Sequence, residues 1–220
     1  MSKWDYGDEG RRFPVIPGDV WTVDGDHWFG CGDVLDFHLP TEQPYTLVYT
    51  DPPWQQGNVN AFRTKAGLPK ATHSWLDLYR RIVEVAGGLP CWIEGGVRQG
   101  EQVQAILPGP ARAAFPITYY RKHQCLLHYT GPEPPRCDPS GVDDEHTPAY
   151  VLRNYPIGVV LDLCAGRGLT ARAAYKLGWQ SFNVELHPQR VSAALARLAK
   201  MSWQEPELVI RAGALIGSHQ

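Results

Sequence analysis

The sequence predicts an α/β domain built on a doubly wound, mostly parallel sheet, and three observations carry that prediction. The last third alternates strand and helix: Ile157-Gly-Val-Val-Leu-Asp-Leu, the span 169–177, Ser181-Phe-Asn-Val-Glu, then the span 188–201. That pitch implies parallel strands joined by right-handed crossovers. Earlier, Tyr45-Thr-Leu-Val-Tyr-Thr is a β-branched and aromatic run that halts at Asp51-Pro52-Pro53-Trp54, as a buried strand does. Finally, Val20-Trp-Thr-Val and Asp26-His-Trp-Phe flank Asp24-Gly25, whose residue types supply the positive φ angles of a two-residue turn, so an antiparallel hairpin is expected at one edge.

The remaining elements follow in order. Residues 1–18 mix charges with Pro14, Pro17 and Gly18 and read as a flexible N-terminal arm. Residues 55–70 are polar and broken by Gly and Pro, which predicts a surface loop. Ser74 can cap a helix through about Val85, with Trp75, Leu78, Ile82 and Val85 at helical spacing. Gly87-Gly88 ends it, and Leu89-Pro-Cys-Trp-Ile is the next strand. Gln99 to Leu107 reads as a helix stopped by Pro108. Ile117-Thr-Tyr-Tyr and Cys125-Leu-Leu-His-Tyr resemble strands joined through Arg121-Lys122, and residues 131–148 form a second long, proline-rich loop.

Composition narrows the function classes. The 220 residues suit one well-buried domain, and 43% hydrophobic with 20% charged content places the chain far from disordered sequences. No apolar stretch approaches the roughly 18 residues that span a bilayer, so no membrane segment is expected and a cytoplasmic location is. Five scattered cysteines and eight histidines lack metal spacing; the cysteines read as reduced packing residues and no metal is expected. A net charge of −2 means that any nucleic acid must meet a local patch. Arg63, Lys65 and Lys70 beside the first loop, and Arg121 and Lys122 at a hairpin tip, are the candidates for phosphate contact, although a solvated surface explains them too.

Two constellations carry chemistry. At a strand-to-helix turn stands Asp162-Leu-Cys164-Ala165-Gly166-Arg-Gly168; glycines there let backbone approach a ligand, and the next helix offers free N–H groups. Glu185 ends the following strand, where a carboxylate can accept hydrogen bonds from both hydroxyls of a ribose. A nucleoside-containing cofactor is implied, against the plainer alternative of an ordinary tight turn. The second is Asp51-Pro52-Pro53-Trp54. Prolines hold an extended backbone whose carbonyls remain free acceptors. Asp51 and the Pro52 carbonyl can each take one hydrogen of an amine while Trp54 stacks on its ring, which suits an extruded nucleobase. Alone, the tetrapeptide is equally a strand cap.

Together these motifs resemble the amino-methyltransferases that use S-adenosyl-L-methionine to methylate the exocyclic nitrogen of adenine or cytosine. Asp51-Pro-Pro-Trp54 is similar to their catalytic tetrapeptide and Asp162 to Gly168 to their cofactor loop. The catalytic motif comes first, as in the permuted β-class order of bacterial and phage DNA enzymes. Gly32-Asp33-Val-Leu resembles the element whose acid lies near the cofactor's adenine, Thr147-Pro148 the opening of a helix over its methionine end, and Asn183-Val-Glu185-Leu186 the ribose-binding strand.

The resemblance spans about residues 28–200. It implies a seven-stranded Rossmann-like fold and a single methyltransferase domain over 19–220, with short recognition loops at 55–72 and 131–148. It also implies double-stranded DNA as partner, adenine N6 as target and a bacterial or phage-infected cell as setting. N4-cytosine methylation, an RNA substrate and a non-catalytic cofactor-binding subunit stay open, as do a homodimer and an accessory recognition subunit. The sequence departs from the pattern in lacking Gln-Lys-Pro before Thr147, in carrying Trp rather than Tyr at 54, and in lacking a separate recognition module.

Overall fold

The computed structural model describes residues 6–40, 43–119 and 123–211. The strands are β1 (Val20–Val23), β2 (His27–Cys31), β3 (Tyr45–Thr50), β4 (Cys91–Gly96), β5 (Ala111–Tyr119), β6 (His123–Gly131), β7 (Val159–Asp162), β8 (Gln180–Glu185) and β9 (Glu207–Ile210). The helices are α1 (Gln56–Lys65), α2 (Trp75–Ala86), α3 (Gly100–Ile106), α4 (Thr147–Leu152), α5 (Leu169–Leu177) and α6 (Pro188–Ser202). None of the described helices is long and apolar enough to cross a membrane.

One sheet runs in the order β5-β6-β4-β3-β7-β8-β2-β1-β9. Its centre is parallel, since β3 pairs with β4 and β7, and β8 with β7 and β2. Both ends are antiparallel, through β4-β6-β5 on one side and β2-β1-β9 on the other. The expected seven mostly parallel strands are therefore nine in a mixed sheet. The difference arises at the edges. β9 is four residues long with alternating partial burial, a weak signal of a strand that pairs on one side only. It lies outside β1, so the Asp24-Gly25 hairpin sits one strand inside that edge; both turn residues have positive φ, 56° and 78°.

The doubly wound character is real. Within β3, Val48 joins a core cluster with Val59 of α1, Leu78 and Ile82 of α2 and Val103 of α3. Leu47 and Tyr49 face the opposite layer with Val151 of α4 and Ala173 of α5. Period-two alternation thus buries both faces of one strand. α2 begins on a reciprocal cap between Ser74 and Asp77 and closes on Gly87, as its sequence predicts.

Two segments differ from expectation. The surface loop at 55–70 contains α1, which buries only Val59 and so lacks a hydrophobic stripe. It is docked by polar contacts instead: Gln56 Oε1 accepts from the Trp75 N–H, its amide donates to the His73 carbonyl, and Asn60 Oδ1 accepts from the Ala71 N–H. The arm, from Tyr6 onward, packs on α6. Tyr6 Oη lies 2.7 Å from Arg190 Nε, Glu9 pairs with Arg197 at 2.9 Å, and Ser192 donates to the Glu9 carbonyl. Residues 1–5 lie outside the described residues.

Candidate active site

β3 and β7 are neighbours whose following helices lie on opposite faces of the sheet, so a crevice opens at their carboxyl ends. It is a cleft of about 890 Å³. Asp51, Pro52, Pro53 and Trp54 line one side; Asp162, Cys164, Ala165 and Gly166, with Glu185 and Leu186, line the other. The two sequence motifs face one cavity.

The cofactor-type corner is held by the chain's own backbone. Asp162 Oδ1 accepts from the Cys164 N–H at 3.1 Å. Glu185 clasps the bend, its two oxygens accepting from the Gly166 N–H at 2.8 Å and the His187 N–H at 2.9 Å, with Arg190 Nη1 3.6 Å away. Gly166 and Gly168 adopt φ of 56° and 73°, which only glycine takes without strain. A Cβ on Gly168 would also press on Ala194 at 3.0 Å. Gly168 shapes the bend from behind and does not line the cleft. Burial raises Asp162 to about 6, against hydrogen bonds from Thr170, Cys164 and Thr50.

At the other corner Asp51 is open to solvent inside the cleft, while Pro52 is buried. The Trp54 indole N–H donates to Asp51 Oδ1 at 2.9 Å, and its ring meets Tyr119 edge-on at 5.0 Å. Gly96 makes room for that ring, since a Cβ there would lie 3.2 Å from Trp54 Cε3. The protein packed around Asp51 displaces water and raises it to about 7, the Trp54 N–H opposes the rise, and Asp162 and Asp144 add repulsion.

The other expected residues divide. Asp33 and Arg63 both line the cleft and pair with each other, their side chains 17% and 16% exposed; Arg63 also donates to the Pro69 carbonyl. Arg63 is thus turned inward on an acid, away from the outer surface where a phosphate was expected. Lys65 and Lys70 are exposed and outside the cleft lining. Arg121 and Lys122 lie outside the described residues. Pro148 lines the cleft, whereas Thr147 is buried with its hydroxyl donating to the Asp143 carbonyl at 2.9 Å.

The cleft is also lined by Glu94, Tyr119 and Arg190, which no sequence motif marks, and by Asp144 of the acidic run ahead of Thr147. An acid closing an apolar strand just before Gly95-Gly96 was the available signal for Glu94. Among the described residues, no group of three His, Cys, Asp or Glu side chains is arranged to hold a metal ion.

No family model matches this chain, and no curated protein matches it. Solved structures do. M1.HpyAVI is 13% identical, with a TM-score of 0.54 over 77% of this chain and 97% of its own, and its SAM complex is 14% identical with a TM-score of 0.55 over 77% and 98%. TTHA0409 of Thermus thermophilus, described as a DNA modification methylase, is 19% identical with a TM-score of 0.52 over 79% and 95%. The cytosine-N4-specific PvuII DNA methyltransferase is 12% identical with a TM-score of 0.50 over 78% and 86%. The chain shares the fold of solved DNA methyltransferases. At these identities the likeness is one of fold, and the sheet order and cleft described above are its content in this chain.

Proposed function

We propose that the chain is a DNA amino-methyltransferase, which transfers a methyl group from S-adenosylmethionine to the exocyclic amine of a flipped base, adenine N6 being the target. The observation that carries this reading is the meeting of the Asp51-Pro-Pro-Trp54 corner and the Gly166–Glu185 corner in one cleft. Two proteins of this fold are solved with the cofactor, M1.HpyAVI and TTHA0409.

The residues fit the cofactor. Gly166 leaves its backbone open toward the cleft, with only Arg190 Nη1 as near as 4.0 Å to a hypothetical Cβ. Glu185 uses one lone pair per oxygen on the bend and keeps others for ribose hydroxyls. Asp33, held by Arg63, and Pro148 both line the cleft and would serve the adenine and methionine ends respectively. When bound, the cofactor supplies a methyl group on a positively charged sulfur. Asp51 Oδ2 and the Pro52 carbonyl would accept the two amine hydrogens and orient the nitrogen lone pair, and ionised Asp51 would then take at Oδ2 the proton that the methylated nitrogen must lose. Asp51 has one oxygen committed to Trp54 and the other without a partner among the described residues, which suits it to this task. Catalysis then rests on positioning and on a negative corner facing a cation. Lys65 and Lys70 are the phosphate contacts in this account.

The acid at 51 favours adenine, because cytosine enzymes of the resembled family more often carry Ser there. N4-cytosine transfer is the second reading, favoured by the PvuII likeness. Incubation with methyl-labelled S-adenosylmethionine and separate DNA, RNA and protein substrates tests both. Label in N6-methyladenine of DNA is expected. Label in N4-methylcytosine selects the second reading, and label in RNA alone, in protein alone or nowhere overturns both.

A further inference from the structure

Glu94 lies in β4, the strand beside β3, and has no part in the chemistry above. Its side chain is 3% exposed. Oε1 accepts from the Tyr49 hydroxyl at 2.6 Å, and its own backbone carbonyl accepts from Tyr79 at 3.1 Å. Among the described residues Oε2 has no partner, and Glu94 is the one acid of the cleft lining whose buried oxygen is left so. Orphaned buried polar atoms are rare because each forfeits its hydration without replacement. Such an atom in the wall of a ligand cleft points to a partner that arrives with the ligand.

The register fixes where that partner sits. β3 and β4 run parallel with Tyr49 opposite Trp92 and Thr50 opposite Ile93, so the next step sets Asp51 beside Glu94 on the same face. Adjacent strands lie roughly 4.8 Å apart. Burial and the repulsion of Asp51 push the Glu94 carboxyl well above the usual carboxylate range, which favours its neutral form. An acceptor carboxylate and a donating carboxyl thus stand side by side. That pair complements a base edge on which an amine adjoins an unprotonated ring nitrogen, the edge shared by adenine and cytosine.

We infer that Glu94 reads the target base, its Oε2–H donating to the ring nitrogen next to the amine that Asp51 holds. The base reaches Oε2 as the Trp54–Tyr119 edge contact opens, since the Trp54 ring lies against Gly96, two residues beyond Glu94. The inference rests on the methyltransferase reading and deepens it by naming a specificity residue.

The test uses a duplex oligonucleotide carrying the methylated sequence, found by methylation-sensitive sequencing of DNA from expressing cells. The target base is compared with its deaza analogue, 1-deazaadenine or 3-deazacytosine, in which C–H replaces the ring nitrogen. Wild type is expected to prefer the natural base by about tenfold in kcat/KM. Glu94→Ala is expected to be slow on both and to lose the preference, and Glu94→Gln, whose amide keeps a donor, to retain most of it. Wild type that treats both bases alike overturns the inference, as does a folded Glu94→Ala that keeps the full preference. Should Glu94→Ala fail to fold, wild type and Glu94→Gln decide alone. Wild type that methylates no DNA overturns the methyltransferase reading and this inference with it; transfer without the preference overturns this inference only.

Discussion

The two ends of the cleft solve opposite problems with the same residue type. At the β7–β8 end, Asp162 and Glu185 hold the chain itself, gripping the N–H groups of Cys164, Gly166 and His187. At the β3–β4 end, Asp51 and Glu94 each hold one aromatic donor, Trp54 and Tyr49, and keep one oxygen uncommitted among the described residues. The first end is a finished cradle whose shape precedes its guest. The second keeps a whole oxygen of each acid uncommitted, which on the proposed function leaves them for a base.

This contrast breaks most sharply at Asp51. Asp51→Ala is expected to lower kcat by about a hundredfold or more while leaving cofactor Kd within about twofold. Single-turnover transfer and calorimetric titration measure the two, and loss of cofactor binding with retained chemistry would merge the two ends into one. Glu185→Ala is the converse, with cofactor affinity expected to fall about tenfold or more because a charged acceptor and the clasp on Gly166 go together.

Gly168→Ala comes next, a strained φ of 73° with Ala194 in the way, and is expected to cost about 1–3 kcal/mol of stability in denaturant titration. On the proposed mechanism, transfer requires ionised Asp51. The rate is therefore expected to rise with pH through about 7 and then level. Trp54, Asp162, Asp144, Glu94 and Arg190 are the groups that set that midpoint. The smallest effect sharpens the assignment: Trp54→Phe removes the indole N–H that lowers Asp51, so the pH–rate midpoint is expected to move upward. For buried Asp162 the sign on stability is acid-favouring. Its contribution is complete below 3.8, its unfolded value, and lost as pH rises through about 6, so thermal melts of wild type and Asp162→Asn, which does not titrate, should agree best on the acid side and separate toward the alkaline side as wild type loses stability.

Much of this was legible from the chain because it was written in local rules. Asp24-Gly25, the Ser74 cap, the abrupt end at Asp51-Pro-Pro and the glycine bend each act within a few residues, and the structure places each as expected. What escaped depends on distant partners. α1 has one buried residue and is held by amide contacts from residues 71–75, which no periodicity encodes. β9 exists because β1 offers it an edge. Arg63 looked like a surface cation because Asp33, thirty positions away, is invisible as its partner in sequence. Glu94 gained its meaning only when the sheet set it beside Asp51.

Crystals of the full chain grown with sinefungin, whose amine takes the place of the transferred methyl, test the joined roles of the two corners most directly. The account predicts ribose hydroxyls on Glu185 and the amine pointing toward the Asp51–Pro52 corner, close enough that a base nitrogen seated there would lie within about 3–3.5 Å of the methyl position. A ligand bound elsewhere, or bound with that amine turned away from Asp51, would contradict it.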